Sequence, residues 1–204
     1  MKRSFIYRSA RIYAFLMRTL YKENYEARFR AIGEEIPAGV EVLDVCCGDC
    51  ALYTLTLKEK VSYTGIDINP SFIKNARKQS IKVLPLDVRV DNIPCSDYVV
   101  MQASLYQFIP IHKQIVDKLL DSASDKVIIS EPVRNLSDSS NPVVSFVARY
   151  SANPGTGHKI DRFTEETFRA FFRNNYDKLI EKFKFTPDRR ELIVILNVER
   201  RMIR

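Results

Sequence analysis

Three acidic residues follow short apolar runs at regular intervals. Asp44 stands in Val42-Leu43-Asp44-Val45, Asp67 follows Tyr63-Thr64-Gly65-Ile66, and Asp87 follows Leu84-Pro85-Leu86. The first run continues as Cys46-Cys47-Gly48-Asp49-Cys50. Small residues at such a turn let a ligand approach the backbone closely. The helix that the turn opens presents unpaired N–H groups to an anion. A carboxylate at Asp67 can accept both hydrogen bonds of a ribose diol as a charge-assisted pair. One at Asp87 can accept from the exocyclic amine of a base. Together they describe an adenosine-bearing ligand lying across three strand ends. The competing reading makes Asp67 and Asp87 mere turn residues, but both fall in phase behind apolar strand cores.

The elements that must position these acids alternate. Val40–Val45 reads as a buried strand, followed by a turn and a helix through about residue 59. Val61–Ile66 is a second strand, and Pro70 opens a helix to about Gln79. Ile81–Leu86 and Tyr98–Gln102 are strands three and four. A helix over Pro110–Leu120 leads to a fifth strand, Lys126–Ser130. Strand then helix, with short links, predicts a parallel sheet covered on both faces. Ligands bind such sheets outside the carboxyl ends of the strands. Residues 132–163 are rich in Ser, Pro, Asn and Gly and read as a long loop with one apolar piece. Thr164 caps a helix, with Glu165 and Glu166 in its first turn. Lys178–Phe185 and Leu192–Val198, around Thr186-Pro187-Asp188, read as a terminal hairpin.

The chain has 204 residues, enough for one domain with its own core. A hydrophobic content of 46% and a charged content of 28% exclude a disordered or fibrous chain. No apolar stretch approaches the roughly 20 residues of a membrane span. Net charge is +7, and residues 1–30 supply +6 of it, with eight Lys/Arg against two acids. The body is therefore nearly neutral and the basic character belongs to an N-terminal arm. Residues 4–32 of that arm read as helical, with Ile12, Leu16 and Leu20 at spacing four. Arg8 and Arg11 interrupt the stretch that a secretory signal would need to be apolar. Three of the four cysteines lie within five residues, a poor disulfide framework, so a reducing, cytoplasmic setting is expected.

The chain resembles the class I S-adenosylmethionine-dependent methyltransferases from about residue 40 to residue 198. In that family's first motif an apolar pair and an acid precede three glycines at alternate positions. Asp44 takes the acid, Gly48 the middle glycine, and Cys46 and Cys50 stand at the outer two. Tyr63–Asn75 resembles the second motif, and Asp97–Phe108 the fourth strand and the start of the next helix. Ile128–Pro132 resembles the fifth strand's end, and Phe163–Phe168 the phrase before the final hairpin. The resemblance implies an α/β fold: a Rossmann-like, doubly wound, seven-stranded sheet, mostly parallel with an antiparallel C-terminal hairpin strand. It implies one domain over 1–204, with a helical cap (1–36), a cofactor-binding half (37–131), a substrate loop (132–163) and a C-terminal helix and hairpin (164–204). S-adenosyl-L-methionine is the implied cofactor. Its implied binding residues are Asp44, Cys46, Cys47, Gly48, Asp49, Asp67, Ile68, Asp87, Val88, Gln102, Ala103 and Tyr106.

Methyl transfer needs a base only if the acceptor must lose a proton. The candidates are His158, Tyr106 and Glu131; His112 reads as a solvated residue at a helix start. The arm and the 132–163 loop are expected to form the acceptor pocket. Tyr7, Tyr21, Tyr25, Phe146 and Tyr150 are candidate walls, and Arg149, Lys159 and Arg162 are available for an acidic group. A small-molecule acceptor is favoured. The basic arm also admits RNA or protein, but neither an Asn/Asp-Pro-Pro-aromatic motif nor an added RNA-binding domain appears. Two other classes compete. Cys47-Gly48-Asp49-Cys50 is a C-x-x-C, as in thioredoxin-like oxidoreductases, although the chain has no Trp. A binding module that keeps the pocket without turnover is the other. No metal site is expected, since one C-x-x-C lacks the paired spacing.

Overall fold

A computed structural model describes residues 10–21, 23–134 and 162–199. Seven strands form one sheet: β1 (Glu41–Val45), β2 (Ser62–Ile66), β3 (Val83–Leu84), β4 (Ser96–Gln102), β5 (Ala123–Pro132), β6 (Ile180–Phe185) and β7 (Glu191–Asn197). Their order is β3-β2-β1-β4-β5-β7-β6. Strands β1 to β5 are parallel, and β7 runs antiparallel to both β5 and β6. This is the doubly wound sheet expected, with its antiparallel C-terminal hairpin strand.

Alternating side chains divide the core. Val42, Tyr63, Tyr98, Val100, Ile128, Ile193 and Ile195 face one way. There they meet α1 (Ala10–Tyr21), α2 (Asn24–Gly33), α3 (Pro70–Lys78) and the helix after β1. Leu43, Val45, Val99, Met101, Val127, Ile129, Val194 and Leu196 face the other way, against α4 (His112–Asp121) and α5 (Glu165–Tyr176). Both sheet faces are covered, which is why the central strands read as continuous apolar runs.

Several elements differ from expectation. The arm is two helices, α1 and α2, not one. The helix after β1 is short and closes as a π-type turn over Tyr53–Leu57. Strand β3 has only two residues, because Pro85 has no N–H to continue the ladder. Strand β5 extends to ten residues because β7 pairs along its outer side as far as Pro132. The Thr164 cap is a full capping box: Thr164 Oγ1 accepts from Thr167 N, and Thr167 Oγ1 accepts from Thr164 N.

A buried ion pair joins the arm to the sheet. Arg28 Nε of α2 lies 2.7 Å from Glu191 Oε1 at the start of β7, and both side chains are almost wholly buried. Glu191 Oε2 accepts from Ser130 Oγ of β5 at 2.9 Å. The Arg28 guanidinium also lies 4.3 Å from the centre of the Tyr21 ring of α1. One charge pair thus ties both arm helices to two strands.

Two substitutions test this architecture. Arg28→Met leaves the Glu191 carboxylate buried without its cation, a cost of about 3–5 kcal/mol, so thermal unfolding should fall by about 10 °C. Gly65→Ala places a methyl 2.7 Å from Cys47 Sγ and 3.1 Å from Tyr63 Oη. Calorimetric or denaturant unfolding should show a loss of roughly 1–3 kcal/mol from that overpacking.

Candidate active site

Strand β1 pairs with β2 on one side and β4 on the other, so successive connections leave it in opposite directions. A crevice opens at that reversal. It is a cavity of about 580 Å³, and every residue implied to bind the cofactor lines it. The structure therefore brings together residues from the ends of β1, β2 and β4 and from the segment after β3.

The turn after β1 is built from left-handed backbone. Cys46, Gly48 and Cys50 have φ of 61°, 56° and 60°. These are the positions where the resembled motif has glycine. Left-handed backbone costs a residue with a side chain about 1–2 kcal/mol, so two cysteines are held there by their surroundings. Cys50 is fully buried. A Cβ at Gly48 would meet nothing within 4 Å, so this turn faces open cavity.

The acids are held in different ways. Asp44 is buried, and Tyr63 Oη donates to its Oδ2 at 2.8 Å. Burial, with Asp67 and Asp49 nearby, raises its pKa to about 7 despite that hydrogen bond. Asp67 is fixed by two backbone donors: Gly48 N to Oδ2 at 3.0 Å and Asn69 N to Oδ1 at 2.7 Å. It thereby locks the β1 turn to the end of β2. Asp87 is nearer solvent, and Arg89 Nε and Nη2 both donate to it. That pairing keeps its carboxyl below the usual range. Asp49 is raised by burial. Ile68 lines the rim with half of its surface exposed, an apolar side chain offered to a ligand.

The end of β4 forms the floor. Ala103 is left-handed (φ 51°) and its N–H donates to Ser130 O at 2.7 Å. Gln102 Nε2 donates to Glu191 Oε2 at 3.1 Å, so the pair that anchors the arm also orients this floor residue. Glu131 is fully buried and does not line the cavity. Its Oε1 accepts from Ser104 N at 2.8 Å and Leu105 N at 2.5 Å, capping the short 3₁₀ helix Leu105–Phe108. Burial pushes its pKa up to about 8. Of the three base candidates, Glu131 thus meets backbone donors, Tyr106 lines the cavity, and His158 lies outside the described residues.

The other expected pocket residues divide similarly. Tyr21, Tyr25 and Arg162 line the cavity. Burial raises Tyr25 to about 12. Tyr7, Phe146, Arg149, Tyr150 and Lys159 lie outside the described residues. His112 is not in open solvent: its ring lies 4.4 Å from that of Phe171 and 5.7 Å from that of Phe163, away from the cavity. The Cys47 and Cys50 sulfurs are 3.9 Å apart. Their contact and burial push the Cys47 thiol well up, the opposite of a reactive C-x-x-C thiolate. Among the described residues, no cluster of ligands suited to a metal occurs and no helix is long and apolar enough to cross a membrane.

Sequence reasoning missed Arg28, Glu191, Met17 and Phe108. Arg28 reads as one more charge on a basic arm, and Glu191 as the polar start of a strand. No local pattern marks two residues so distant in sequence as partners.

Solved structures similar to this fold include methyltransferases, at identities that show the fold alone. Magnesium protoporphyrin IX methyltransferase (ChlM) from Synechocystis PCC 6803, with bound SAH, is 14% identical with a TM-score of 0.65, over 88% of this chain and 85% of that one. An O-methyltransferase family 2 protein from Planctomyces limnophilus DSM 3776, in complex with apigenin, is 19% identical with a TM-score of 0.65. The match covers 97% of this chain and 62% of that one. A chain from the complex between the Haloferax volcanii Trm112 methyltransferase activator and a methyltransferase is 13% identical with a TM-score of 0.68. It covers 97% of this chain and 99% of that one. No curated protein matches the chain. The model of a family described as methionine biosynthesis protein MetW matches residues 26–136. With over half its length and all of β1 to β5 inside that match, the chain belongs to the MetW family.

Proposed function

We propose that this protein is an S-adenosylmethionine-dependent methyltransferase acting on a small-molecule acceptor. The observation that carries this reading is the convergence of Asp44, Asp67 and Asp87, from three adjacent strand ends, on one cavity beside the left-handed Cys46–Cys50 turn. A volume of about 580 Å³ is that of a small-ligand site. The SAH bound to the Synechocystis enzyme and the apigenin bound to the Planctomyces protein support the reading.

When bound, the cofactor supplies a methyl group on a sulfonium, which leaves as a neutral thioether and needs no acid. The chain's part is to bind and align. Asp67, its oxygens fixed by Gly48 and Asn69, accepts from the ribose diol. Asp44 faces the ammonium of the amino-acid end, and Ile68 and Val88 flank the base. Asp87 reaches the base amine with both oxygens already shared with Arg89. Gln102 and Ala103 border the methyl, held by Glu191 and Ser130. Holding acceptor and methyl in line can contribute roughly 7–11 kcal/mol.

Calorimetric titration with S-adenosylhomocysteine tests the cofactor, and its release from S-adenosylmethionine with an acceptor panel tests turnover. Absence of saturable binding by folded protein overturns the proposal. Losing the charge-assisted bonds of Asp67→Ala should weaken binding by roughly tenfold to a hundredfold. Asp87→Ala should cost about threefold at most, because its carboxylate is already neutralised by Arg89.

The Asp44 carboxyl gives a pH signature. Its pKa of about 7 exceeds the ordinary 3.8, so the unliganded protein loses stability as pH rises between those values. An ammonium at Asp44 favours the ionised form, so below pH 7 binding must first remove a proton. Affinity for S-adenosylhomocysteine should therefore rise between pH 6 and pH 8 and then level off. Asp44→Asn should flatten that profile.

A further inference from the structure

The cavity lining is of two kinds: the acids Asp44, Asp49, Asp67 and Asp87, and apolar or aromatic side chains, among them Met17 and Tyr21 of the arm and Tyr106 and Phe108 from the segment after β4. Three arginines also line it. Glu191 neutralises Arg28, and Asp87 neutralises Arg89. Arg162 stands apart. Its guanidinium lies 5.1 Å from the centre of the Tyr106 ring, and among the described residues no carboxylate pairs with it. Contact with an aromatic ring holds the group without cancelling its charge.

The backbone beside Arg162 is anchored. Phe163 is buried and packs edge-on against Phe168 at 5.4 Å, and Thr164 caps α5. Arg162 is itself half-buried, so its charge is only partly screened by solvent. The cavity therefore places a positioned cation at the edge of an aromatic wall, over Tyr106, where the acceptor would adjoin the residues assigned to the cofactor.

We propose that the methyl acceptor is a small aromatic or apolar carboxylic acid, its carboxylate bound by Arg162 and its body packed against Tyr106 and Phe108. A guanidinium matches a planar carboxylate through paired N–H donors. Pairing withdraws charge from the carboxylate, so it anchors the molecule and another atom takes the methyl. This inference rests on the methyltransferase reading, because it assigns the acids of the cavity to the cofactor.

The test uses the full chain saturated with S-adenosylhomocysteine. 4-Hydroxybenzoate and 4-hydroxycinnamate are titrated against their primary amides, with wild type, Arg162→Gln and Arg162→Lys. The acids should bind wild type roughly tenfold tighter than the amides, as expected for a charge-assisted pair. Arg162→Gln should bring acids and amides within about threefold of each other, and Arg162→Lys should keep part of the preference. Unchanged S-adenosylhomocysteine binding confirms that each variant is folded. Failure of that compound to bind wild type overturns the methyltransferase reading and this inference with it. Binding of that compound while acids and amides bind alike, while neither binds, or while the preference survives Arg162→Gln, overturns the acceptor assignment alone.

Discussion

Strand β1 carries a parallel partner on each side, and the chain reverses its direction of growth across the sheet there. One side is built by β2 and β3, the other by β4 and β5. The helical segments after β1 and β4 must then cover opposite faces, which leaves a gap between their starting points. The cavity is the consequence of that reversal. Residues at the carboxyl ends of β1, β2 and β4 reach it without further adjustment. The left-handed Cys46–Cys50 turn is tolerated for the same reason: the chain must leave β1 abruptly while keeping its backbone against the crevice.

A second constraint works from beneath. Charges buried among apolar side chains have to be compensated. Arg28 and Glu191 compensate one another, and Glu191 also accepts from Ser130 and Gln102. Arm, floor and C-terminal strand are therefore one connected polar unit inside the core. Glu131 is held differently, through Oε1 alone, which accepts from backbone N–H groups of the segment that follows β4. These two carboxylates do not face the cavity as chemistry-bearing groups. They set the positions of Gln102 and Ser104, which do face it.

Much of this was legible from one dimension. Apolar runs leading to Asp44, Asp67 and Asp87 mark the approach to strand ends, because a strand buried on both faces is apolar along most of its length, although Asp44 itself lies buried inside β1 and Asp87 lies beyond the short β3. Pro70 and Thr164 mark helix starts through the orphan N–H groups that only certain residues satisfy. Elsewhere local signals misled. Ile81–Leu86 has the composition of a strand, yet only two of its residues pair, because Pro85 interrupts the ladder at the sheet's edge. His112 has the position of a solvated residue, yet aromatic rings from the distant α5 segment enclose it.

The sequence by itself determined the order of the strands, the α/β class and the identity of the cavity's acids, since each depends on periodicity or on a turn spanning a few residues. Tertiary structure alone decided which charges meet. Arg28 finds Glu191, Arg89 takes up Asp87, and Arg162 settles over Tyr106. A salt bridge depends on distance in space and on exclusion of water, and in a sheet whose last strand inserts beside the fifth, neither can be read from separation along the chain.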